Sequence, residues 1–251
     1  MVNEKQYRSN SLLRGLHILE AFGPSRSQMT LSQIADEISV TSSAAYRFVQ
    51  TLEAEGYLER DPISRTFRLA PRVMQLGYSY IKSLDVSEVA YHHAMRLRDE
   101  TGFSVHVGVL KGTDVVYIYR AMSQSVMVSN ITVGTRLPAF ATAMGRVLLS
   151  NLDAQAVDAL FDSYVFEKFT DKTIASLPEL KKALAKDRAR GFVAQESQLA
   201  SGTMAIAAPL TDSTGQYVGA INVSGHQTQL SLDDALIDQV RACAAQISVL
   251  L

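Results

Sequence analysis

The sequence predicts an α+β chain with short helices and one hairpin over 1–70, a linker helix over 71–84, and a mixed α/β domain over 85–251. Three observations predict it. Apolar residues of the first third recur at three- to four-residue spacing, whereas after Asp85 strand-like alternation begins at Val105, Val107 and Val109. A length of 251 residues also exceeds one minimal domain and suits two.

Ser11 is placed to cap the first helix, whose Leu12, Leu16, Leu19 and Phe22 make one apolar stripe, and Gly23-Pro24-Ser25 ends it. Two helices follow over 31–38 and 41–58, separated only by Ser39-Val40. Thr30 or Leu31-Ser32 opens the first, and Gly56 closes the second. Residues 57–60 and 66–69 read as short strands around a turn-rich tip at 61–65. The linker helix has Pro71 in its first turn, where a missing N–H costs nothing, and Val73, Leu76 and Tyr80 along one side.

The larger part opens with a helix over 86–101 that Gly102 ends. After the alternating valines, Lys111-Gly112-Thr113-Asp114 turns the chain and 115–120 completes a hairpin. A third strand is expected over 125–133, ahead of Gly134-Thr135-Arg136-Leu137-Pro138 and a helix over 142–152. Two more helical stretches end at Gly191, and strands over 192–198, 203–210 and 217–224 complete the sheet. A last helix runs from Ser231, with Asp234 in a capping-box-like position.

Apolar residues make up 47% and charged residues 20%, as in ordinary globular proteins. The most hydrophobic run, 204–210, is far shorter than the ~20 residues of a membrane helix, and the first ten residues hold no apolar secretory segment. The expected location is therefore the cytoplasm, without a membrane partner. Cys243 is the only cysteine, so no intramolecular disulfide can form, and no Cys/His cluster has zinc-site spacing. No cofactor or metal is expected. Residues 1–83 hold ten Lys/Arg against eight Asp/Glu, which leaves 14 against 17 for the remainder. That small basic excess permits nucleic-acid contact without demanding it.

The closely spaced pair of helices carries the sharper signal. A helix-turn-helix needs a small residue where its helices touch, a tight turn and apolar locks. Ala35 supplies the first, Ser39 stands at the turn where glycine is easiest, and Ile34, Ile38, Val40 and Phe48 are the locks. The second helix then presents Ser42, Ser43, Tyr46 and Arg47 at the end that enters a major groove. Short hydroxyls suit phosphate or base edges, and Arg47 suits guanine or phosphate. Arg60 and Arg65 flank the strand pair, as in a wing approaching the DNA backbone or minor groove. The plainer alternative is a helical hairpin in an unrelated core with solvated arginines.

Together these stretches resemble the IclR family of bacterial regulators. The likeness runs through SLLRGLHILEAF, MTLSQIADEISV, TLEAEGYLERD and FRLAPRVMQLGYSY, then TGFSVHVGVL, VVYIYR, VGTRLPAFATAMGRVLL, GFVAQESQLASG, AAPL and GAINVSG. It covers essentially the whole chain, and GTRLP followed by a TAMGR-type helix is specific in combination. RTFRLAPRVMQLGYSY and ITVGTRLPAFATAMGRVLLSNL are similar to the PcaR and PobR type, the branch controlling protocatechuate and 4-hydroxybenzoate catabolism. The resemblance implies an N-terminal winged helix-turn-helix, a linker helix, and a C-terminal GAF-like effector domain with a curved antiparallel sheet. It also implies double-stranded operator DNA, a small organic acid and a second copy of the chain as partners, in dimers or dimers of dimers. RNA polymerase is a further candidate partner.

In the second domain the residues themselves outline an anion pocket without catalytic machinery. Asn222 and Ser224 share one strand face, as do Thr203, Ala205 and Ala207, with the alanines leaving volume for a guest. Ala141-Thr142-Ala143-Met144-Gly145 opens a helix whose free N–H groups favour a carboxylate, and Gly145 lets that backbone pack closely. Carried over by position, the family's acid pocket falls on Ala143, Met144, Gln195, Thr203, Ala205, Asn222 and Ser224. Gln195 stands where some members have an acidic residue and Asn222 where Ser is common, which implies a different acid from the small oxo-acids some relatives bind. Alternating Asn and Ser could instead satisfy neighbouring backbone. Arg136 is a tempting carboxylate clamp, but a structural ion pair is the stronger reading, and Arg120 also reads as structural.

An enzyme would need a nucleophile and its base. Ser224-Gly225-His226, with Asp212 as orienter, and Cys243 are the candidates for a small-acid hydrolase, but no glycine elbow presents Ser224. Cys243 reads as a buried small hydrophobe, and the adjacent His92-His93 rings cannot readily share a metal. The expectation is therefore no enzyme. A second alternative is a DNA-binding protein whose C-terminal domain only oligomerises.

Overall fold

The computed structural model describes residues 8–23, 25–123 and 131–251, and the chain divides into two compact units between Tyr80 and Ile81. The first unit contains α1 (Asn10–Glu20), α2 (Leu31–Glu37), α3 (Ser42–Ala54) and the antiparallel pair β1 (Leu58–Arg60) and β2 (Phe67–Leu69). Its core is Ile18, Phe22, Met29, Ile34, Ile38, Val49, Leu58 and Phe67. Met29 and Phe67 exchange backbone hydrogen bonds in both directions, so the segment before α2 adds a third arm to the hairpin.

Several expectations are corrected in this unit. Ser9, not Ser11, caps α1 by accepting from the Leu12 N–H. Of the expected stripe, Phe22 is buried and Leu19 packs against the core, but Leu12 and Leu16 are 63% and 45% exposed, while Ile18 is fully buried. A leucine-rich helix offers more than one apolar stripe, and spacing alone does not say which one the core covers. The second helix of the pair stops at Ala54 because Gly56 turns left-handed at φ +71°, which frees Leu58 to pair with Leu69 in β1. The helix α4 (Arg72–Lys82) has no buried residue, and Met74, Leu76 and Tyr78 are largely exposed. The linker helix is thus present as expected, with Val73, Leu76 and Tyr80 unburied in a single copy of the chain.

The second unit runs α5 (Asp85–Thr101), β3 (Ser104–Lys111), β4 (Asp114–Ala121), β5 (Arg136–Pro138), a 3-10 turn at Ala139–Ala141, α6 (Ala143–Ser150), α7 (Ala154–Leu160), α8 (Leu177–Arg190), β6 (Val193–Glu196), β7 (Thr203–Thr211), β8 (Tyr217–His226) and α9 (Asp234–Ser248). The strands form one antiparallel sheet in the order β5-β4-β3-β8-β7-β6. On one face α5 and α9 pack over Val105, Val107, Ile206, Ile221 and Val223. On the other, α6, α8 and Phe140 pack with Val115, Tyr117, Val193 and Ala207. Central strand β3 is thus buried on both faces, and its alternating valines mark only the α5/α9 side.

Arg146 of α6 grips Asp187 of α8 with Nε–Oδ2 and Nη2–Oδ1 distances of 2.9 and 2.8 Å. Burial raises the Asp187 carboxyl pKa against the pull of Arg146, so the fork geometry is what keeps the charge tolerable there. The expected strand over 125–133 falls mostly on 124–130, outside the described residues, as does Pro24; 131–133 form no strand. Asp233, rather than Ser231, caps the last helix, its Oδ1 accepting from the Leu236 N–H at 2.9 Å. Among the described residues, no helix is long and apolar enough to cross a membrane.

Candidate functional site

Helix α2 begins with a reciprocal cap. The Gln33 N–H donates to Thr30 Oγ1 at 3.3 Å, and the Thr30 N–H to Gln33 Oε1 at 2.8 Å. The turn into α3 places Ser39 at φ +53°, and the Val40 N–H reaches back to the Ala35 carbonyl. Ala35 is buried as expected, and so is Ala45 on α3, a second small residue that the Ser42-Ser43-Ala44-Ala45 run had in plain view. Thr41 caps α3 through the Ala44 N–H, which leaves Ser42, Ser43, Tyr46 and Arg47 exposed on its first turns. Ser43 shares a hydroxyl hydrogen bond with Thr41 at 3.1 Å, so Ser42 is the less engaged of the two serines.

At the hairpin, Arg60 is exposed with its guanidinium 5.5 Å from the Phe67 ring centre. Asp61 Oδ1 accepts from the Ser64 and Ile63 N–H groups at 2.8 and 2.9 Å, which holds its carboxyl below the ordinary aspartate range. Arg65 is exposed in the same turn at φ +56°. Among the described residues, Arg47, Arg60 and Arg65 make no ion pair, whereas Arg26, Arg68 and Arg72 pair with Glu37, Glu59 and Glu55. The arginines of α3 and the wing tip therefore keep their charge uncompensated.

The second unit contains a cavity of about 530 Å³ beside the sheet. Two cross-strand rows underlie it. Ser104, Ser224, Ala205 and Gln195 stand side by side on β3, β8, β7 and β6, and His106, Asn222, Ala207 and Val193 form the next row. Ala141, Thr142 and Ala143 bring the start of α6 to the wall. Thr142 Oγ1 accepts from the Gly145 N–H at 3.1 Å, so the N–H groups of Ala143 and Met144 remain without a helical acceptor. A Cβ on Gly145 would lie 2.2 Å from the Ala139 carbonyl oxygen; only glycine lets α6 begin this close to the 3-10 turn.

Of the residues read from the sequence, Ala143, Gln195, Thr203, Ala205, Asn222 and Ser224 line this cavity. Met144 does not. Successive helical residues point about 100° apart, and Met144 turns into the core, fully buried near Gly108. Thr203 Oγ1 donates to the Ala200 carbonyl at 2.6 Å, and Gln195 Nε2 donates to the Ala141 carbonyl at 3.1 Å. Gln195 Oε1 and Ser224 Oγ are buried without a partner among the described residues. No Lys or Arg among the described residues lines the cavity, and Arg136 pairs instead with Asp114 at 3.0 Å on the sheet edge.

Sequence reasoning missed His106. It is fully buried, its Nδ1 lies 3.1 Å from Asn222 Oδ1, and its ring meets the Tyr117 ring edge-on. Burial pushes its pKa down to about 4, so the ring is neutral. The alternation that exposed Asn222 and Ser224 on β8 also places Ser104 and His106 between the β3 valines, but only the valines were read.

The hydrolase candidates lack activation. Among the described residues, Ser224 Oγ has no hydrogen-bond partner, and His226 Nδ1 is taken by Thr228 Oγ1 at 2.9 Å. Burial pushes the Cys243 thiol up to about 11, far from a thiolate. Among the described residues, no group of three His, Cys, Asp or Glu side chains is arranged to hold a metal ion.

A winged helix-turn-helix followed in one chain by a cavity-bearing sheet domain is the build of a transcriptional regulator that carries its own sensor. The chain belongs to the IclR family. Residues 11–62 match the IclR helix-turn-helix domain, and residues 78–249 match the C-terminal domain of IclR bacterial transcriptional regulators. It is a regulator and not an enzyme. The chain is 31% identical over 217 residues to the Pca regulon regulatory protein of Pseudomonas putida, covering 86% of this chain and 74% of that one. A transcriptional regulator from Rhodococcus sp. RHA1 superposes with a TM-score of 0.86 at 37% identity, over 96% of this chain and 98% of that one. An IclR homologue from Microbacterium hydrocarbonoxydans, solved with 4-hydroxybenzoate, has a TM-score of 0.84 at 24% identity, over 96% and 98% of the two chains.

Proposed function

We propose that the protein regulates a catabolic operon in response to a small organic acid, aromatic or dicarboxylic. In this reading residues 1–70 form the DNA-binding domain, 71–84 the linker helix and 85–251 the effector domain. Ser42, Ser43, Tyr46 and Arg47 read the operator's major groove, with Arg60 and Arg65 at the flanking backbone. The uncompensated charge of those three arginines supports that assignment.

The observation that carries the sensor half is the pair of buried, unpartnered polar atoms at the cavity, Ser224 Oγ and Gln195 Oε1. Buried polar groups are nearly always hydrogen-bonded, so two orphans at one concave site mark where a ligand completes the network. The carboxylate is held by neutral donors: Asn222, Ser224 and the free N–H group of Ala143. A volume of about 530 Å³ has room for a ring, and the 4-hydroxybenzoate in the Microbacterium homologue fits the same class. The protein acts as a two-fold dimer, for which the exposed Met74, Leu76 and Tyr78 of α4 supply apolar surface.

Thermal unfolding with protocatechuate, 4-hydroxybenzoate and β-ketoadipate tests the sensor reading. A true effector raises stability by about 2.7 kcal/mol at one hundred times its dissociation constant. A saturable rise with one of these acids is expected. No rise with any of them would overturn the proposed ligand class and favour a domain that only oligomerises.

A further inference from the structure

Four side-chain amides line the cavity, Gln195, Gln198, Asn222 and Gln229, and two of them, Gln195 and Asn222, are each pinned by a neighbour that decides which end the ligand meets. Gln195 spends its Nε2 on the Ala141 carbonyl at 3.1 Å and leaves Oε1 buried without a partner. Turning that amide over would set oxygen against oxygen, so Gln195 presents an acceptor. Asn222 is held the opposite way. Its Oδ1 lies 3.1 Å from Nδ1 of His106, a fully buried ring whose Nε2 has no partner. A buried N–H without an acceptor is rarer and costlier than an unused ring lone pair, so the proton sits on Nδ1 and donates to Asn222 Oδ1. Asn222 is left with its Nδ2 hydrogens for the cavity and presents a donor.

We infer that these oppositely pinned amides select hydroxy acids, whose carboxylate accepts from Asn222 and Ser224 and whose separate hydroxyl donates to Gln195. The inference rests on the acid-sensing reading above and adds a second polar group to the ligand. Ala205 lies between Ser224 and Gln195 in one cross-strand row, so a small side chain sits where the body of such a ligand passes. Once a ligand has displaced water, a molecule lacking the hydroxyl would leave Gln195 Oε1 buried and unserved, the costly state.

Calorimetric titration of the full-length protein with two matched pairs provides the test. In each pair a methyl group of similar size replaces the hydroxyl: 4-hydroxybenzoate against 4-methylbenzoate, and glycolate against propionate. In at least one pair the hydroxy acid is expected to bind tenfold or more tightly, about 1.4 kcal/mol. Gln195→Met, with its fold checked by melting, is expected to bring that ratio close to one. Equal affinity within both pairs, or discrimination that survives Gln195→Met, would overturn the inference and leave the acid reading standing. Binding of none of the four would overturn this inference, and the acid reading falls with it only if protocatechuate and β-ketoadipate also fail to raise the melting temperature.

Discussion

Ser39 holds φ +53° in the turn between α2 and α3, a left-handed conformation that costs any residue with a Cβ about 1 kcal/mol or more. Ser39→Gly removes that strain but adds unfolded-chain entropy, so a net gain of about 0.5 kcal/mol in urea unfolding is expected; a net loss would show the strain to be negligible. His106 supplies a pH-dependent counterpart. Its folded pKa is about 4 against 6.5 for the ordinary group, chiefly through burial, so between those values the unfolded chain binds the extra proton. The stability this represents is complete above pH 6.5 and disappears as pH falls through 4, roughly 3 kcal/mol in all. Wild type should therefore lose more stability than His106→Asn between pH 6.5 and 4 in urea titrations, and parallel curves would refute a buried neutral ring. Ser39 was legible as a departure from glycine because turn chemistry is local. His106 was not, because its role depends on Asn222, 116 residues away and adjacent only through strand register.

At the scale of elements, the signals that were read correctly are those that a short stretch of chain settles alone. The cap at Thr30, the stop at Gly56 and the close approach at Gly145 each involve a few neighbouring residues. The misread ones depended on what lies across from the element. The stripe of α1 and the direction of Met144 are set by which helix face the core covers, and one sequence does not carry that information. The start of α6 shows how much can hang on one local feature. In Gly145→Ala the new Cβ meets backbone at Ala139, which cannot swing away as a side-chain tip could, so α6 or the 3-10 turn must shift. A loss of about 1–3 kcal/mol in stability is expected. Acid binding should weaken too, because the free N–H group of Ala143 moves with the helix. A variant with unchanged melting and unchanged ligand titration would show that the close approach is dispensable.

For the whole molecule, the division of labour between two units is itself testable, because each half can be disabled alone. Arg47→Ala removes an exposed charge from α3, and Arg47 is not among the residues that line the second unit's cavity. Operator affinity should fall, by about tenfold or more if Arg47 contacts a base edge in bidentate fashion, while acid affinity stays as in wild type. Ser224→Ala should do the reverse, weakening the acid and sparing DNA binding in its absence. What joins the halves is a coupling free energy, and linkage makes it reciprocal: the factor by which acid changes operator affinity equals the factor by which operator changes acid affinity. A regulator of this kind is expected to show a factor of roughly 5–150, either tightening or loosening, with the direction set by which state the acid prefers. Operator binding measured with and without saturating acid, and acid binding with and without saturating operator, gives both factors independently. A shared factor above five would establish that the cavity and the α3 surface are energetically coupled. A factor of one in both directions would mean that the acid binds both states alike, so the cavity could hold its ligand without regulating anything. Because the factors must agree at one protein concentration, a mismatch between measurements made at different concentrations would reveal self-association, for which the exposed apolar residues of α4 supply surface.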